Sequence, residues 1–274
     1  MKKGIYTLAD EEFLTLLERA HTVFTKRNLP YMLVGGTAVQ AHILNYIHQK
    51  TGDTIRHLVE SPKFRLQDHL RATDDIDITL DPRKLGLDTD VGRVIIDSLD
   101  EIVGDGIFVS PSENHLTKVV LARSGLKRPV FGIKLDSEEL GNENNVSFNL
   151  YQGPKDTNQK WKGGMREFEE NFYFDFMERP STVKLNYCSE GRIVELKIKS
   201  AEDLLATKIA RNRPKDFADG LSLYRHSLES EKPIDIARVR YLLSSPDKTL
   251  GVPNPELVEK YELFERATKT IEKD

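Results

Sequence analysis

The chain is poor in cysteine and in long apolar runs, and each shortage excludes a class of protein. Cys188 is the single cysteine among 274 residues, so no disulfide can form within the chain, which favours a reducing compartment. No apolar run approaches the roughly 20 residues that a membrane-spanning helix needs, and the first residues lack the apolar core of a signal peptide. The sequence therefore predicts a cytoplasmic protein without a membrane partner.

Two common nucleotide-binding motifs are also missing. The chain has no GxxxxGK[ST] loop and no GxGxxG, so the P-loop and Rossmann classes are unsupported. Charged residues make up 31% of the sequence and apolar residues 38%, which is the balance of a folded chain and not of a disordered one. The net charge of −4 argues against a surface coated with nucleic acid, although local basic patches can still bind it.

The most informative stretch begins with a short apolar run that ends at two glycines. Residues 31–34 are Tyr-Met-Leu-Val, and Gly35 and Gly36 follow. The run is too short for a helix, so it predicts a buried strand that turns at the glycines into a helix from Thr37 to about Gln49. Residues without a Cβ let a phosphate approach the backbone, and free N–H groups at a helix start attract it.

The same stretch closes with a strand of alternating character. Ile76, Ile78 and Leu80 are predicted to face one side, while Asp75 and Asp77 face the other together with a threonine. Two carboxylates on one face, with no lysine or arginine between them, repel each other unless a cation lies between them. A divalent metal with hard oxygen ligands fits this pair.

These motifs in this order resemble the nucleotidyltransferase superfamily related to DNA polymerase β. Within it, the segment Arg71-x-Thr73-x-Asp75-Ile76-Asp77-Ile78 is similar to the form found in the AbiEii-type and MenT-like toxin nucleotidyltransferases. The block from Ser200 to Lys208, followed by the block from Arg213 to Asp219, is similar to the lysine and aspartate motifs of that family.

The pattern and the resemblance together predict an α/β fold. A small mixed β-sheet flanked by helices, the nucleotidyltransferase core, would occupy residues 1–199, with an insertion at about 53–72. A helical C-terminal region would occupy residues 200–274, and the active site would lie in the cleft between the two parts.

The resemblance implies a Mg²⁺-dependent enzyme that transfers a nucleoside monophosphate from an NTP to an acceptor hydroxyl. The acceptor it implies is RNA, at the 3′ end of tRNA, and it implies a toxin with a cognate antitoxin protein. Two alternatives stay open: a small-molecule, antibiotic-type nucleotidyltransferase, which would want an acidic acceptor pocket, and a nucleotide-binding protein without catalysis.

Each predicted site residue has a role in that reaction. Two Mg²⁺ ions, with Mn²⁺ as the other candidate, would be held by Asp75 and Asp77 and would stabilise the entering and leaving oxygens. Gly35, Gly36 and Thr37 would hold the β- and γ-phosphates. The further candidates for nucleotide binding, some of them implied by the resemblance, are Arg71, Thr73, Lys208 and Asp216. Lys208 is also a candidate catalytic residue.

A third metal-binding carboxylate would be expected on a neighbouring strand, and three positions compete for it. Asp136, at the end of the β-prone run Val130–Leu135, is the preferred catalytic and metal-binding candidate. Asp175 lies in a second run, Asn171–Phe176. Asn186 lies in a third, and an amide at this position would weaken metal binding.

Basic groups near the two motif blocks are candidates for contact with an RNA acceptor or with phosphate. They are Arg211, Arg213 and Lys215, and the group Lys155, Lys160, Lys162 and Arg166 in the polar middle of the chain.

Periodicity predicts the remaining elements. Helices are expected at Thr7–Asn28 with Thr7 as the cap, at 53–60, 65–71, 91–103, 201–211, 214–226, 233–243 and 255–273. Strands are expected at 107–109, 116–122, 130–135, 146–151, 171–176 and 182–187.

Overall fold

The computed structural model describes twelve segments of the chain. They are residues 7–62, 64–73, 75–81, 84, 97–98, 101–102, 116–117, 130–136, 145–151, 165–189, 191–246 and 251–271. The predicted strand at 107–109 lies outside the described residues, as does the loop that carries Lys155, Lys160 and Lys162. Most of the predicted helix at 91–103 also lies outside them, although residues 97, 98, 101 and 102 are helical.

One mixed sheet of seven strands dominates the part of the chain that the structure describes. The strands are β1 (Tyr31–Val34), β2 (Asp75–Leu80), β3 (Leu116–Thr117), β4 (Val130–Asp136), β5 (Asn145–Tyr151), β6 (Pro180–Asn186) and β7 (Ile193–Lys199). Their order across the sheet is β3-β4-β5-β2-β1-β7-β6. The pairs β2/β5 and β1/β7 are parallel, and the other four are antiparallel.

The helices are numbered in chain order. They are α1 (Glu11–Lys26), α2 (Gly35–Thr51), α3 (Ile55–Glu60), α4 (Leu66–His69), α5 (Met165–Glu178), α6 (Ala201–Arg211), α7 (Pro214–Leu228), α8 (Ile236–Ser244) and α9 (Pro255–Ile271). The mixed sheet with flanking helices and a helical C-terminal region confirms the predicted α/β fold class. Among the described residues no helix has the length and apolar character needed to span a membrane.

The alternation predicted for β2 is confirmed on its apolar side. Ile76, Ile78 and Leu80 are fully buried, and β2 runs antiparallel to β1 through the centre of the sheet. Helix α1 packs on this core through Phe24, whose ring centroid lies 5.1 Å from that of Tyr31. The apolar face of β2 therefore forms part of the hydrophobic core.

Helix α2 starts two residues before the predicted position, directly at Gly35. It lies against the sheet, since His42 shares a hydrogen bond of 2.8 Å with the carbonyl of Lys199 on β7. Its Gln40 accepts a bond from the amide of Leu8 and donates another to the carbonyl of Arg71. These bonds tie the segment before α1 and the segment before β2 to the helix that follows the two glycines.

The strand predicted at 171–176 is wrong, because these residues belong to α5. Phe168, Phe172 and Phe176 follow one another at four-residue intervals, and their rings stack along one side of the helix with centroids 5.5 and 6.0 Å apart. A four-residue interval is the period of a helix face. The aromatic composition favours a strand, but the spacing decides for the helix.

Three further details differ from the prediction. Strand β7 was not predicted, although it lies between β1 and the edge strand β6. Asp10, and not Thr7, occupies the N-cap position of α1, while the amide of Thr7 donates to the Asp10 carboxylate. Helix α8 begins after Asp235, whose side chain accepts from two backbone amides, so Pro233 lies outside it.

The helices after Ser200 pack against one another and against α2. Ser200 caps α6, since its hydroxyl accepts from the amide of Asp203. Pro214 begins α7 and Pro255 begins α9, where a missing N–H costs nothing. The domain boundary between residues 199 and 200 stays a prediction.

Candidate active site

The bend between β1 and α2 lies directly against Asp77. Val34 pairs with Asp77 in the antiparallel ladder, and Gly35 follows with a φ of +73°. A Cβ added to Gly35 would overlap the carboxylate of Asp77. Residue 35 must therefore be glycine both for its left-handed backbone and for the approach of the carboxylate. The glycine bend and the second aspartate of β2 therefore lie side by side.

The second glycine lies under the segment that precedes β2. A Cβ at Gly36 would lie 3.3 Å from a guanidinium nitrogen of Arg71 and 3.3 Å from the hydroxyl of Thr73. Thr37 and Thr73 are both buried. The start of α2, which includes Thr37, therefore meets two other predicted nucleotide-binding residues, Arg71 and Thr73.

A cluster of charges connects this segment to the C-terminal helices. We define the ionic cluster as Arg71, Lys208, Arg213, Asp216 and Asp219. The ammonium of Lys208 donates to Asp219 at 2.7 Å and to Asp216 at 3.3 Å. Arg71 donates to both oxygens of Asp219 at 2.8 and 3.0 Å, and Arg213 forms a short ion pair with Asp216.

Both aspartates of the ionic cluster keep a lowered pKa despite burial. Burial alone would raise the pKa of Asp219, but Arg71 and Lys208 outweigh it, so the pKa lies below the ordinary value. For Asp216 the same balance is set by Arg213 and Lys208. The pKa of Arg213 is raised by its bond to Asp216 and by the nearby charge of Asp77. Both carboxylates are therefore ionised at neutral pH.

Lys208 is buried, with 3% of its surface exposed. Its ammonium lies close to Asp216, and Asp219 lies closer still. The positive charge of the ammonium is therefore compensated by two carboxylates of the protein. Direct contact of Lys208 with a nucleotide stays a prediction.

An open cleft lies between the sheet and the helices α5 and α6. It encloses about 580 Å³ of empty space, part of it open to solvent. Gly35 and Thr79 line it on the sheet side, and Lys199, Lys208 and Arg211 supply positive charge. The remaining lining residues are Met32, Val34, Tyr173, Phe176, Leu204 and Thr207. An apolar floor with cationic walls suits an anion that carries an aromatic ring.

Strand β5 is the direct neighbour of the aspartate strand. It runs parallel to β2 and places Ser147 opposite Asp75 and Asn149 opposite Asp77. Asp136 ends β4, which lies one strand further out, and pairs with Asn145. Its role as third carboxylate stays a prediction, and Asn149 is a position at the site that the sequence patterns did not reveal.

The two other candidates for the third carboxylate do not lie beside β2. Asp175 lies on α5 and forms an ion pair with Arg238 on α8. Asn186 lies on β6 at the far edge of the sheet and shares a hydrogen bond of 2.7 Å with His48. The assignment of both positions to strands that flank the metal site is therefore wrong.

The residues present are chemically suited to a divalent cation, as far as the described side chains extend. Asp77 supplies a carboxylate held against the N-terminal end of α2, and hydroxyl-bearing Thr37 and Thr73 lie in the same region. Among the described side chains no three or more His, Cys, Asp or Glu residues are grouped to hold a metal. Asp75 precedes Asp77 by two positions on β2, and its role as a second metal ligand stays a prediction.

Several cleft residues had no signal in the sequence patterns. Tyr173 and Phe176 were assigned to a strand, and their common helix face appears only once the four-residue spacing of the phenylalanines is followed. Lys199 ends a strand that was not predicted, and Thr207 is one position before the motif lysine.

No protein-family model and no curated protein sequence matches this chain. Among solved structures, that of the antibiotic-resistance factor ANT(2″)-Ia, determined in solution, is 14% identical to this chain. The match covers 95% of this chain and 99% of that chain, with a TM-score of 0.37.

Proposed function

We propose that the chain is a metal-dependent nucleotidyltransferase that moves a nucleoside monophosphate from an NTP to an acceptor hydroxyl. The observation that carries this proposal is the contact between Asp77 and Gly35 at the start of α2. It brings an acidic side chain next to the end of a helix where free backbone N–H groups attract phosphate.

In the proposed reaction, the residues of the bend bind the phosphates and the aspartates of β2 hold the metal. Gly35, Gly36 and Thr37 would bind the β- and γ-phosphates, while Asp75 and Asp77 would hold Mg²⁺ or Mn²⁺. When bound, the metal neutralises charge on the phosphates. The oxygen of the acceptor hydroxyl would attack the α-phosphorus and lose its proton to solvent, while the bond from the α-phosphorus to the bridging oxygen breaks. Pyrophosphate would leave with the charge that the amides of α2 stabilise.

The acceptor that we propose is RNA, with the 3′ end of tRNA as the expected site and a toxin paired with an antitoxin as the biological setting. The resemblance of the two motif blocks suggests this choice. Cations beside the cleft support it, since Arg211 lines the cleft and Arg213 is half-exposed next to it. Cationic side chains at these positions suit a phosphate backbone.

Incubation with each of the four NTPs, labelled at the α-phosphorus, tests the proposal. The reactions contain the full chain, Mg²⁺ and total RNA, and parallel reactions contain hydroxyl-bearing antibiotics in place of RNA. We expect label on one RNA size class, and no label with Asp77→Asn. Label on the small molecule alone would assign the antibiotic-type activity, and no transfer to either acceptor would contradict an enzymatic role.

A further inference from the structure

The segment that precedes β2 lies along one face of α2, near the start of that helix. Gly36 and Gln40 are four residues apart, so they lie one turn apart on the same face. The guanidinium of Arg71 lies against Gly36, where an added Cβ would be 3.3 Å from its Nη2. The backbone carbonyl of Arg71 accepts from the side-chain amide of Gln40 at 2.9 Å. Helix α2 therefore holds Arg71 by its backbone and leaves room for its side chain.

The side-chain amide of Gln40 has one favourable orientation. Only 1% of the residue is exposed. Its oxygen accepts from the amide of Leu8 at 2.7 Å, and its nitrogen donates to the carbonyl of Arg71. Because a backbone N–H only donates and a carbonyl only accepts, the reversed amide would set donor against donor and acceptor against acceptor. Glutamine satisfies both partners, whereas an apolar side chain of similar length satisfies neither.

The side chain of Arg71 is held at a second point by the ionic cluster. Its guanidinium donates to both oxygens of Asp219, which is 4% exposed. The cluster contains three cations and two carboxylates, so its net charge is +1. This charge lies beside the N-terminal end of α2, where the helix dipole is also positive. The two effects together favour an anion at the start of α2.

We propose that Gln40 is a positioning residue for nucleotidyl transfer, which places Arg71 beside the triphosphate of the NTP. This inference rests on the proposed function, because it assumes that the start of α2 binds the phosphates. Arg71 has two anchors, Gln40 at its backbone and Asp219 at its guanidinium. Without the first anchor the backbone of Arg71 shifts and takes the guanidinium with it. The effect of Gln40 on phosphate binding therefore passes through Arg71.

A double-mutant cycle tests whether Gln40 acts through Arg71. The probe is inorganic tripolyphosphate in Mg²⁺, and isothermal titration calorimetry gives its affinity for the natural chain, Gln40→Met, Arg71→Met and the double variant. We expect Arg71→Met to weaken binding at least about tenfold, from the strength of a charged hydrogen bond, and Gln40→Met at least about fivefold. The double variant should bind within about twofold of Arg71→Met. The cycle is repeated with the NTP that the natural chain binds most tightly.

Ser227→Ala is the matched control for the loss of a buried hydrogen-bonding side chain. Ser227 is fully buried on α7. Its hydroxyl also joins two backbone groups, since it donates to the carbonyl of Tyr224 at 2.7 Å and accepts from the amide of Ile234 at 3.4 Å. Ser227→Ala should lower the urea unfolding midpoint, as Gln40→Met does, but leave tripolyphosphate binding unchanged. A purely structural role for Gln40 predicts unchanged binding in both variants.

Each contrary outcome has a distinct meaning. Unchanged binding in Gln40→Met or in Arg71→Met would overturn this inference alone. Losses that add in the double variant would show that Gln40 acts on the bend itself and would also overturn it. Failure of the natural chain to bind tripolyphosphate and every NTP would remove the proposed function together with this inference. If Gln40→Met does not fold, Gln40→Asn takes its place in the cycle, because it keeps the amide on a side chain one methylene too short to reach both partners.

Discussion

The carboxylate of Asp77 occupies the space that a side chain at Gly35 would need, because the two residues meet where β1 turns into α2. Substitution of Gly35 by alanine tests this close packing. Gly35→Ala should destabilise the chain by roughly 2 to 5 kcal/mol, since it adds left-handed strain to an overlap in a packed region. Thermal and urea unfolding measure the loss, and calorimetry measures the loss of NTP binding.

Gly52→Ala is the matched control for that substitution. Gly52 has nearly the same φ, +74°, but a Cβ there has no atom within 4 Å. Its cost should be the backbone strain alone, about 1 to 2 kcal/mol, with NTP binding retained. Equal losses in the two variants would contradict the role given to Asp77.

The metal-binding role of Asp77 predicts a large kinetic effect with a small structural one. Asp77→Asn keeps the volume but loses the charge, so nucleotidyl transfer should fall by more than about 100-fold, which exceeds the usual effect of residues that only support a metal ligand. Label incorporation measures the rate, and the unfolding midpoint checks the fold. Asp53→Asn, at a partly exposed position paired with His57, should transfer normally.

The ionic cluster predicts a stability effect far larger than that of surface ion pairs. Asp219→Ala leaves Lys208 and Arg71 without a shared carboxylate, and breaking a buried pair costs about 3 to 5 kcal/mol. Glu229→Ala removes an exposed partner of Lys50 and should cost less than about 1 kcal/mol. Urea unfolding of both variants measures the difference, and similar losses would mean that the cluster is hydrated.

The contact between His69 and His226 predicts a pH dependence of stability. Burial, and then the nearby charge of His69, lower the pKa of His226 from 6.5 to about 4. The unfolded chain therefore binds the proton first, so the stability that neutral His226 allows is complete above pH 6.5 and is lost as the pH falls towards 4.

Comparison with His226→Gln isolates this contribution, since the lowered pKa values of Asp216 and Asp219 are common to both chains. The free energy of unfolding of the natural chain should fall more steeply than that of the variant between pH 6.5 and about 4. Parallel curves across that range would show that His226 is not kept neutral by its surroundings.

The sequence correctly predicted the secondary-structure elements that are determined by their local pattern of apolar and polar residues. The run before Gly35 and the alternation from Asp75 to Leu80 each match a strand, and both are confirmed. The structure also places Asp216, from the second motif block, 3.3 Å from the ammonium of Lys208, from the first block. The two strands follow from local patterns, whereas Lys208 and Asp216 lie on the consecutive helices α6 and α7.

The features that escaped prediction have different causes. In α5 the aromatic composition favours a strand, whereas the four-residue spacing of its phenylalanines indicates a helix face. The position of Lys199 depends on the parallel pairing of β7 with β1, which no local pattern reveals. The helical conformation of residues 171–176 removed Asp175 from the candidates for a strand beside β2, and the order of strands removed Asn186.

The central place of β1 has a consequence for how the protein is made. Leu33 emerges early from the ribosome, yet its parallel partner Ile198 is synthesised much later. Until then one side of the strand that leads into the glycine bend has no permanent neighbour, and contacts between such distant residues form slowly. Nascent chains stalled before residue 193 should therefore expose the unpaired backbone N–H and C=O groups of β1. Such an edge is prone to aggregation, so we expect chaperones to bind these chains.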